Sequence, residues 1–322
     1  MLFGGSGEKM NTDIDYKKFL SKQLDKINMA LQVIRLGPHR FTNLLNLNRK
    51  NGRFICRNGF ILNFNKTDYH DLRRLFYFSL LHGVLLSSRD RRGNWSYKNG
   101  IIVTPEGIRF GIRSFDELIF SETFLYDVHF SDFDLKNKIV VQAGGFIGDT
   151  ALYYANRGAN VYSFEPDPNS YNMAIKNLKL NPKLGKKIIF QNLAVDKDGI
   201  IEFPVNNYNS GGSSIYDRTK NQRVKIRCVS IKTILREFKI KDPYLLDLDI
   251  KGSEFNVINE RELSKFKMVR IEYSTKIADK KLGSRSDIIK KLKRLGFKSI
   301  RIYKHNYGSY DLFDHGTIEA KK

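Results

Sequence analysis

From Lys138 onward the chain alternates two hydrophobic rhythms. Short runs rich in Val, Ile, Leu and Phe have the length and composition of buried strands, and the stretches between them repeat apolar residues every three to four positions, as amphipathic helices do. This predicts strand 139–143, helix 148–157, strand 160–165, helix 168–180 and strand 187–193. Two more strands, 199–205 and 223–229, flank an Asn- and Gly-rich loop at 206–222. Helix 230–239, strand 244–250, helix 253–262, strand 268–273 and helix 284–295 follow, and 296–316 reads as a β-hairpin. Strands that alternate with helices imply an α/β fold with a mostly parallel sheet covered on both faces.

The first third has a different texture. Phe19, Leu20, Leu24, Ile27, Leu31 and Ile34 fall at helical spacing between lysines, and Gly37-Pro38 ends that run. A second helical stretch spans Asp71 to Leu86 and is too short to cross a bilayer, which needs about 20 apolar residues. Ser87 to Gly100 is polar and loop-like, and IIVTPEGIRFGI is a hairpin pattern with Pro105-Glu106-Gly107 at its turn. The expected division is a mainly helical extension with a β-hairpin at 1–120 and a ligand-binding α/β domain at 121–322.

Charge changes the picture of partners. The 56 Lys and Arg against 34 Asp and Glu give a formal net charge of +22, which favours anionic partners: nucleic acid, acidic glycans or an anionic membrane surface. A lysine-rich solvent face explains the same number without any partner. Cys56 and Cys228 stand far apart, which excludes a disulfide framework and a zinc site of usual spacing. The N-terminus lacks the basic start and apolar run of a signal peptide. The expected location is the cytoplasm, with peripheral contact to a membrane as a variant.

Candidate chemistry gathers at KIVVQAGGFIGDTALYYANRGANVYSFEP, residues 138–166. A strand runs into Gly144, Gly145 and Gly148, where the backbone can turn sharply and a ligand can approach closely. Helical periodicity resumes at Thr150. Glu165 ends the next strand about 20 residues later, where such folds bond ribose hydroxyls. No phosphate-loop lysine follows the glycines. On its own this unit suits a nicotinamide dinucleotide, S-adenosylmethionine, or a tight turn with no ligand.

The segments VVQAGGFIGDTALYYA, VYSFEPDP, NLKLNP, QNLAVDKDG, SGGSS, LLDLDIKGSEF and VRIEYS occur in an order that resembles the FkbM-type S-adenosylmethionine-dependent methyltransferases, over Glu122 to Gly316. The resemblance implies the class I methyltransferase fold, a Rossmann-like seven-stranded sheet whose last strand is antiparallel. It implies S-adenosylmethionine as cofactor and methyl transfer to a hydroxyl of a glycan, glycolipid or other small polyhydroxylated acceptor. Cofactor contacts carry over to Gln142, Gly144, Gly145, Phe146, Gly148, Asp149, Thr150, Glu165, Pro166, Asn192, Ala194 and Asp247. Gln142 stands where relatives usually have an acid near the methionine amino group, and Asp247 where they typically have Lys. Asp249 matches the family and is expected to orient or deprotonate the acceptor hydroxyl, with Glu272 as a second base or hydroxyl ligand. Ser213, Ser214, Lys251, Glu254 and His305 are the expected substrate contacts; Lys251 replaces a glutamate of the relatives. No metal is expected, although Asp249, Glu272 and His305 form the donor set one would use. Two alternatives stay open. The charge suggests an RNA methyltransferase, and the departures at Gln142, Asp247 and Lys251 suggest a catalytically silent cofactor-fold binding protein.

Overall fold

The computed structural model describes residues 51–55, 61–65, 71–75, 94–114, 116–124, 134–205, 222–277, 280–303 and 315–322. The helix expected at 16–36, most of that at 71–86 and nearly all of the 206–222 loop lie outside them. Two compact units divide at Gly100 and Ile101. In the first, β1 (Gly52–Ile55) pairs antiparallel with β2 (Ile61–Asn65), which pairs parallel with β3 (Asn94–Lys98). The buried rings of Phe54 and Phe64 pack 5.0 Å apart across the first pair.

The second unit opens with the expected hairpin, β4 (Ile101–Val103) against β5 (Arg109–Gly111), and a helix α1 (Glu117–Phe124). The main sheet then begins: β6 (Ile139–Ala143), α2 (Asp149–Asn156), β7 (Asn160–Phe164), α3 (Pro168–Leu180), a short α4 (Pro182–Gly185) and β8 (Ile188–Gln191). A small sheet follows, in which β9 (Ala194–Val195) lies parallel to β11 (Arg223–Val229) and β10 (Gly199–Pro204) antiparallel to it. The chain returns through α5 (Ile231–Glu237), β12 (Leu245–Leu248), α6 (Glu254–Val257), β13 (Met268–Ser274), a two-residue pair β14 (Lys276–Ile277) and β15 (Lys280–Lys281), α7 (Arg285–Arg294), β16 (Ser299–Tyr303) and β17 (His315–Lys321).

The strand order is β16-β17-β13-β12-β6-β7-β8, with β17 antiparallel to both its neighbours and the remaining pairs parallel. That is the class I methyltransferase arrangement. The order reverses at β6, so a crevice opens over the carboxyl ends of β6 and β12. Helices start where their caps say they should. Asp167 accepts from Asn169 N–H (2.8 Å) with Pro168 in the first turn, and Ser284 with Asp287 closes a capping box on α7.

One expected helix is much shorter. Instead of 253–262 there is α6 at 254–257 and a separate 3-10 turn at Arg261–Lys265. Glu260 is the reason: its backbone is extended, and its carboxylate accepts from the Ile231 and Lys232 N–H groups at the start of α5. Those orphan donors are satisfied at the cost of helix continuity.

The β4–β5 hairpin belongs to the second unit for an equally local reason. Asn181 exchanges two hydrogen bonds with the Arg109 backbone (2.9 and 2.7 Å), and Asn177 accepts from Gly111 N–H (3.1 Å) while donating to the Ile147 carbonyl (2.9 Å). Phe110, Phe120, Phe124 and Tyr153 then stack edge to face between β5, α1 and α2. The compact unit thus takes in the hairpin that sequence reading assigns to the extension.

The two faces of the main sheet differ. Val141, Ala143, Leu246, Leu248, Val269, Ile271, Ile318 and Ala320 form one buried apolar face packed with residues of α5 and α7. The other face carries a row of polar residues in register: Ser163, Gln142, Asp247, Arg270, Glu319, Arg301. A charged residue is almost never fully buried without a partner, and here each is engaged. Arg270 pairs with Asp247 at 2.7 Å, both at most 2% exposed, and Tyr154 of α2 donates to the other Asp247 oxygen (2.9 Å).

Candidate functional site

An open cleft lies over the carboxyl ends of β6, β7, β9 and β12, with about 700 Å³ of empty space that includes open solvent. Its wall takes Gly144 and Phe146 from the glycine turn, Glu165, Pro166 and Asp167 after β7, and Ala194 and Asp196 after β8. Asp249, Lys251 and Ser253 come from the segment after β12, and Ile201 and Phe203 from the small sheet.

The turn is built around a close approach. Gly144 and Gly145 both donate to the Phe164 carbonyl (2.9 Å each), which folds the chain back beside β7. Gly144 has φ +88°, and an added Cβ there would run into the Asp249 carbonyl oxygen. Phe146 is also left-handed (φ +43°), a conformation a bulky residue adopts only when its surroundings demand it. Here they do: its N–H donates to Glu165 Oε2 at 2.8 Å.

Glu165 receives a second backbone hydrogen bond on Oε1, from Asp167 N–H (2.8 Å). Burial pushes its carboxyl up to about 7 against the pull of these two donors. Each oxygen keeps a lone pair, so the group can still accept from a vicinal diol. Asn192 supports it from below by donating to the Glu165 and Pro166 carbonyls (2.8 and 3.0 Å).

Asp196 was not singled out from the sequence, although it lies two residues past Ala194 in a quoted motif. Its Oδ2 accepts from Ser253 Oγ (2.9 Å) and Asn256 Nδ2 (3.1 Å). Its Oδ1 is buried with no hydrogen-bond partner, and the residue lines the cleft. A shielded acceptor of this kind costs free energy until a donor arrives. An amino group on a planar base, seated beside Phe203 and Ile201, would supply one.

The other expected residues fall into place differently. Gly145 and Gly148 serve packing: a Cβ on Gly145 would strike Ser163 Oγ and the Phe190 ring, and one on Gly148 would crowd Leu178 and Ala174 of α3. Gln142 is buried and accepts from Ser163 Oγ at 2.8 Å, so its amide carbonyl points along the polar sheet face and not at the cleft. Asp247 is committed to Arg270 and Tyr154. Asp149 accepts from Thr123 Oγ1 of α1 (2.8 Å) and weakly from Thr150 (3.3 Å); burial raises its carboxyl to about 6. Gln142, Asp247, Asp149 and Thr150 therefore form the frame behind the cleft and do not line it. Ser213, Ser214 and His305 lie outside the described residues.

Glu254 is fully buried, and its carboxylate accepts from the N–H groups of Gly252 and Ser274 (3.0 Å for the latter). It acts as a strut that clasps the cleft-lining segment after β12 to the end of β13, and burial raises its carboxyl to about 7. Glu272 lies on β13 outside the cleft wall, with His315 Nε2 3.6 Å away. His315, at the start of β17, also meets Ser274 Oγ through Nδ1 at 3.0 Å. Glu272 was expected from sequence but His315 and Ser274 were not; only the antiparallel register, which sets Ser274 opposite His315, brings them together. Among the described residues no three His, Cys, Asp or Glu side chains are grouped to hold a metal ion. None of the helices among them is long and apolar enough to cross a membrane.

Comparison with known proteins adds to this geometry. Residues 142–299 match the model of the methyltransferase FkbM domain. No curated protein matches the chain. Solved structures that resemble it include magnesium protoporphyrin IX methyltransferase from Synechocystis PCC 6803 with bound S-adenosylhomocysteine, at 13% identity and TM-score 0.37, covering 63% of this chain and 81% of that one. The METTL16 methyltransferase domain matches at 10% identity and TM-score 0.42 over 84% and 86% of the two chains. TrmK of M. capricolum, also in complex with S-adenosylhomocysteine, matches at 12% and 0.35 over 58% and 64%. The matched span begins on β6, runs through the glycine turn, Glu165 and the β12 segment, and ends on β16: this part, just under half of the chain, carries a methyltransferase FkbM domain, and the protein is a methyltransferase.

Proposed function

We propose that this protein holds S-adenosylmethionine in the cleft over β6 and β12 and methylates a hydroxyl of a glycan, glycolipid or related polyhydroxylated acceptor. The observation that carries the cofactor part is the pairing of two carboxylates across one cleft. Glu165 is set to accept from a ribose diol, and Asp196 Oδ1 is a shielded acceptor lacking a donor. Gly144 lets the cofactor's chain pass over the turn, and Phe146, Ile201 and Phe203 supply apolar contact for its base. When bound, the cofactor contributes a sulfonium-activated methyl group.

The protein's part is then placement and proton removal. Asp249 lines the cleft at the end of β12, with its N–H held by the Ala143 carbonyl (2.9 Å), and presents a carboxylate to an incoming hydroxyl. Lys251, in the same wall with φ +26°, supplies a positive charge at the mouth that suits an acceptor bearing acidic groups. The acceptor class itself rests on the family resemblance and on this choice of side chains. The test is a labelled-methyl transfer assay on lipid, glycan and RNA fractions of source cells. Label in the lipid or glycan fraction, lost in Asp249→Asn, supports the reading; label confined to RNA overturns it.

A further inference from the structure

The carboxyl edge of the sheet holds a second set of groups beside the cleft, on the polar face and outside the wall already described. Arg270, Glu272 and Ser274 alternate along β13 and so project from one face. Opposite them on β17 stand Glu319, Thr317 and His315. At the very edge the side chains lie close: Ser274 Oγ is hydrogen-bonded to His315 Nδ1 at 3.0 Å, and Glu272 Oε1 is 3.6 Å from His315 Nε2, a charge contact longer than a hydrogen bond. The imidazole is 16% exposed and Glu272 9%, so the set is shielded yet reachable. Its distance from the cleft is bridged by Glu254, which binds Gly252 and Ser274 backbone N–H groups at once.

We infer that Ser274, His315 and Glu272 form a proton relay for the acceptor hydroxyl, with Ser274 Oγ as its entry point. The inference rests on the methyltransferase reading above and adds the route by which the proton leaves. The Glu272 carboxylate beside Nε2 favours the neutral tautomer that carries its hydrogen there, in which Nδ1 accepts. Ser274 O–H then donates to Nδ1, and its oxygen keeps lone pairs able to accept the acceptor's O–H. As the acceptor oxygen bonds to the methyl carbon and the carbon–sulfur bond breaks, the acceptor proton passes to Ser274 and the Ser274 proton to His315 Nδ1. The products are a methyl ether, the neutral thioether and an imidazolium paired with Glu272. Among the described residues, Glu254 from α6 and Arg270 from β13 also act on Glu272 electrostatically. They oppose each other in sign, and His315 Nε2 lies 3.6 Å from the Glu272 carboxylate. Asp249 orients the acceptor hydroxyl from the cleft wall and Ser274 takes its proton; His315 and Glu272 act through Ser274.

The first measurement needs no acceptor. In full-length protein labelled with 15N-histidine, the His315 ring is assigned by comparison with His315→Gln. The expected neutral form has a protonated Nε2 and a bare Nδ1, and Glu272→Gln should erode that preference. A neutral ring protonated on Nδ1 overturns the relay, because that nitrogen would then donate to Ser274 and could take no proton. The second measurement is methyl transfer to whichever fraction accepts label. His315→Gln should lower kcat by about 10²–10⁴-fold, the usual worth of a positioned base, with activity partly regained at alkaline pH. Binding of S-adenosylhomocysteine and the melting temperature should stay at wild-type values. Unchanged kcat, or loss of turnover only in step with loss of S-adenosylhomocysteine binding, overturns the relay. Wild-type protein that binds no S-adenosylhomocysteine overturns the methyltransferase reading instead.

Discussion

Glu165 offers the sharpest quantitative test of the cleft. Its carboxyl sits at about 7 in the free protein because burial outweighs the two backbone donors that favour the charged form. A carboxylate that must accept from two ribose hydroxyls binds in its ionised state, so only the ionised fraction of the protein is competent. That fraction is about nine-tenths at pH 8 and about one-tenth at pH 6, so the apparent dissociation constant should weaken roughly tenfold between them. Isothermal titration with S-adenosylhomocysteine at pH 6, 7 and 8 measures this, and buffers of different ionisation enthalpy should reveal a proton released on binding at pH 6. Instability is not a confounding cause. A raised carboxyl favours the folded state below its unfolded value near 4.5, and that contribution is lost as pH rises through about 7. Stability from Glu165 therefore moves opposite to affinity across the same window. Glu165→Gln should bind more weakly at every pH and with a flat profile. Wild-type affinity that does not change between pH 6 and 8, or a Gln variant that keeps the slope, refutes the assignment of Glu165 to the ribose.

Three substitutions probe the frame. Gly144→Ala combines a left-handed backbone with a collision against the Asp249 carbonyl, whereas Gly107→Ala meets only the backbone penalty of about 1–2 kcal/mol in open space; thermal melts should separate them widely, and equal losses would count against a tight contact at Gly144. Arg270→Met strands a buried Asp247 and should cost about 3–5 kcal/mol by urea unfolding; adding Asp247→Asn should restore much of it, and strict additivity would argue against the pair. Thr317 has a buried hydroxyl with no partner, so Thr317→Val should raise the stability by about 1 kcal/mol in the same assay; a clear loss would mean that the hydroxyl is bonded.

The alternation of apolar runs made the sheet legible because most of its strands are short, buried stretches bounded by glycines or caps, and the glycine turn with Glu165 followed from spacing alone. What sequence could not show is which way a polar strand residue faces and what meets it across a neighbour. Gln142 and Asp247 look like ligands because they sit at strand ends within family motifs. Register places them in a transverse row with Ser163 and Arg270, where a buried charge must find its partner inside the protein. The chain's departures from its relatives at these two positions are therefore matched within the fold: a neutral amide beside a serine, and an aspartate between an arginine and a tyrosine. These two changes lie behind the cleft and leave Gly144, Glu165, Asp196 and Asp249 in its wall, whereas the third departure, Lys251, stands in the wall itself. The same logic explains why His315 escaped notice. It stands more than forty residues from Ser274 in sequence, and only an antiparallel strand inserted between β13 and β16 sets the two side chains within hydrogen-bond reach.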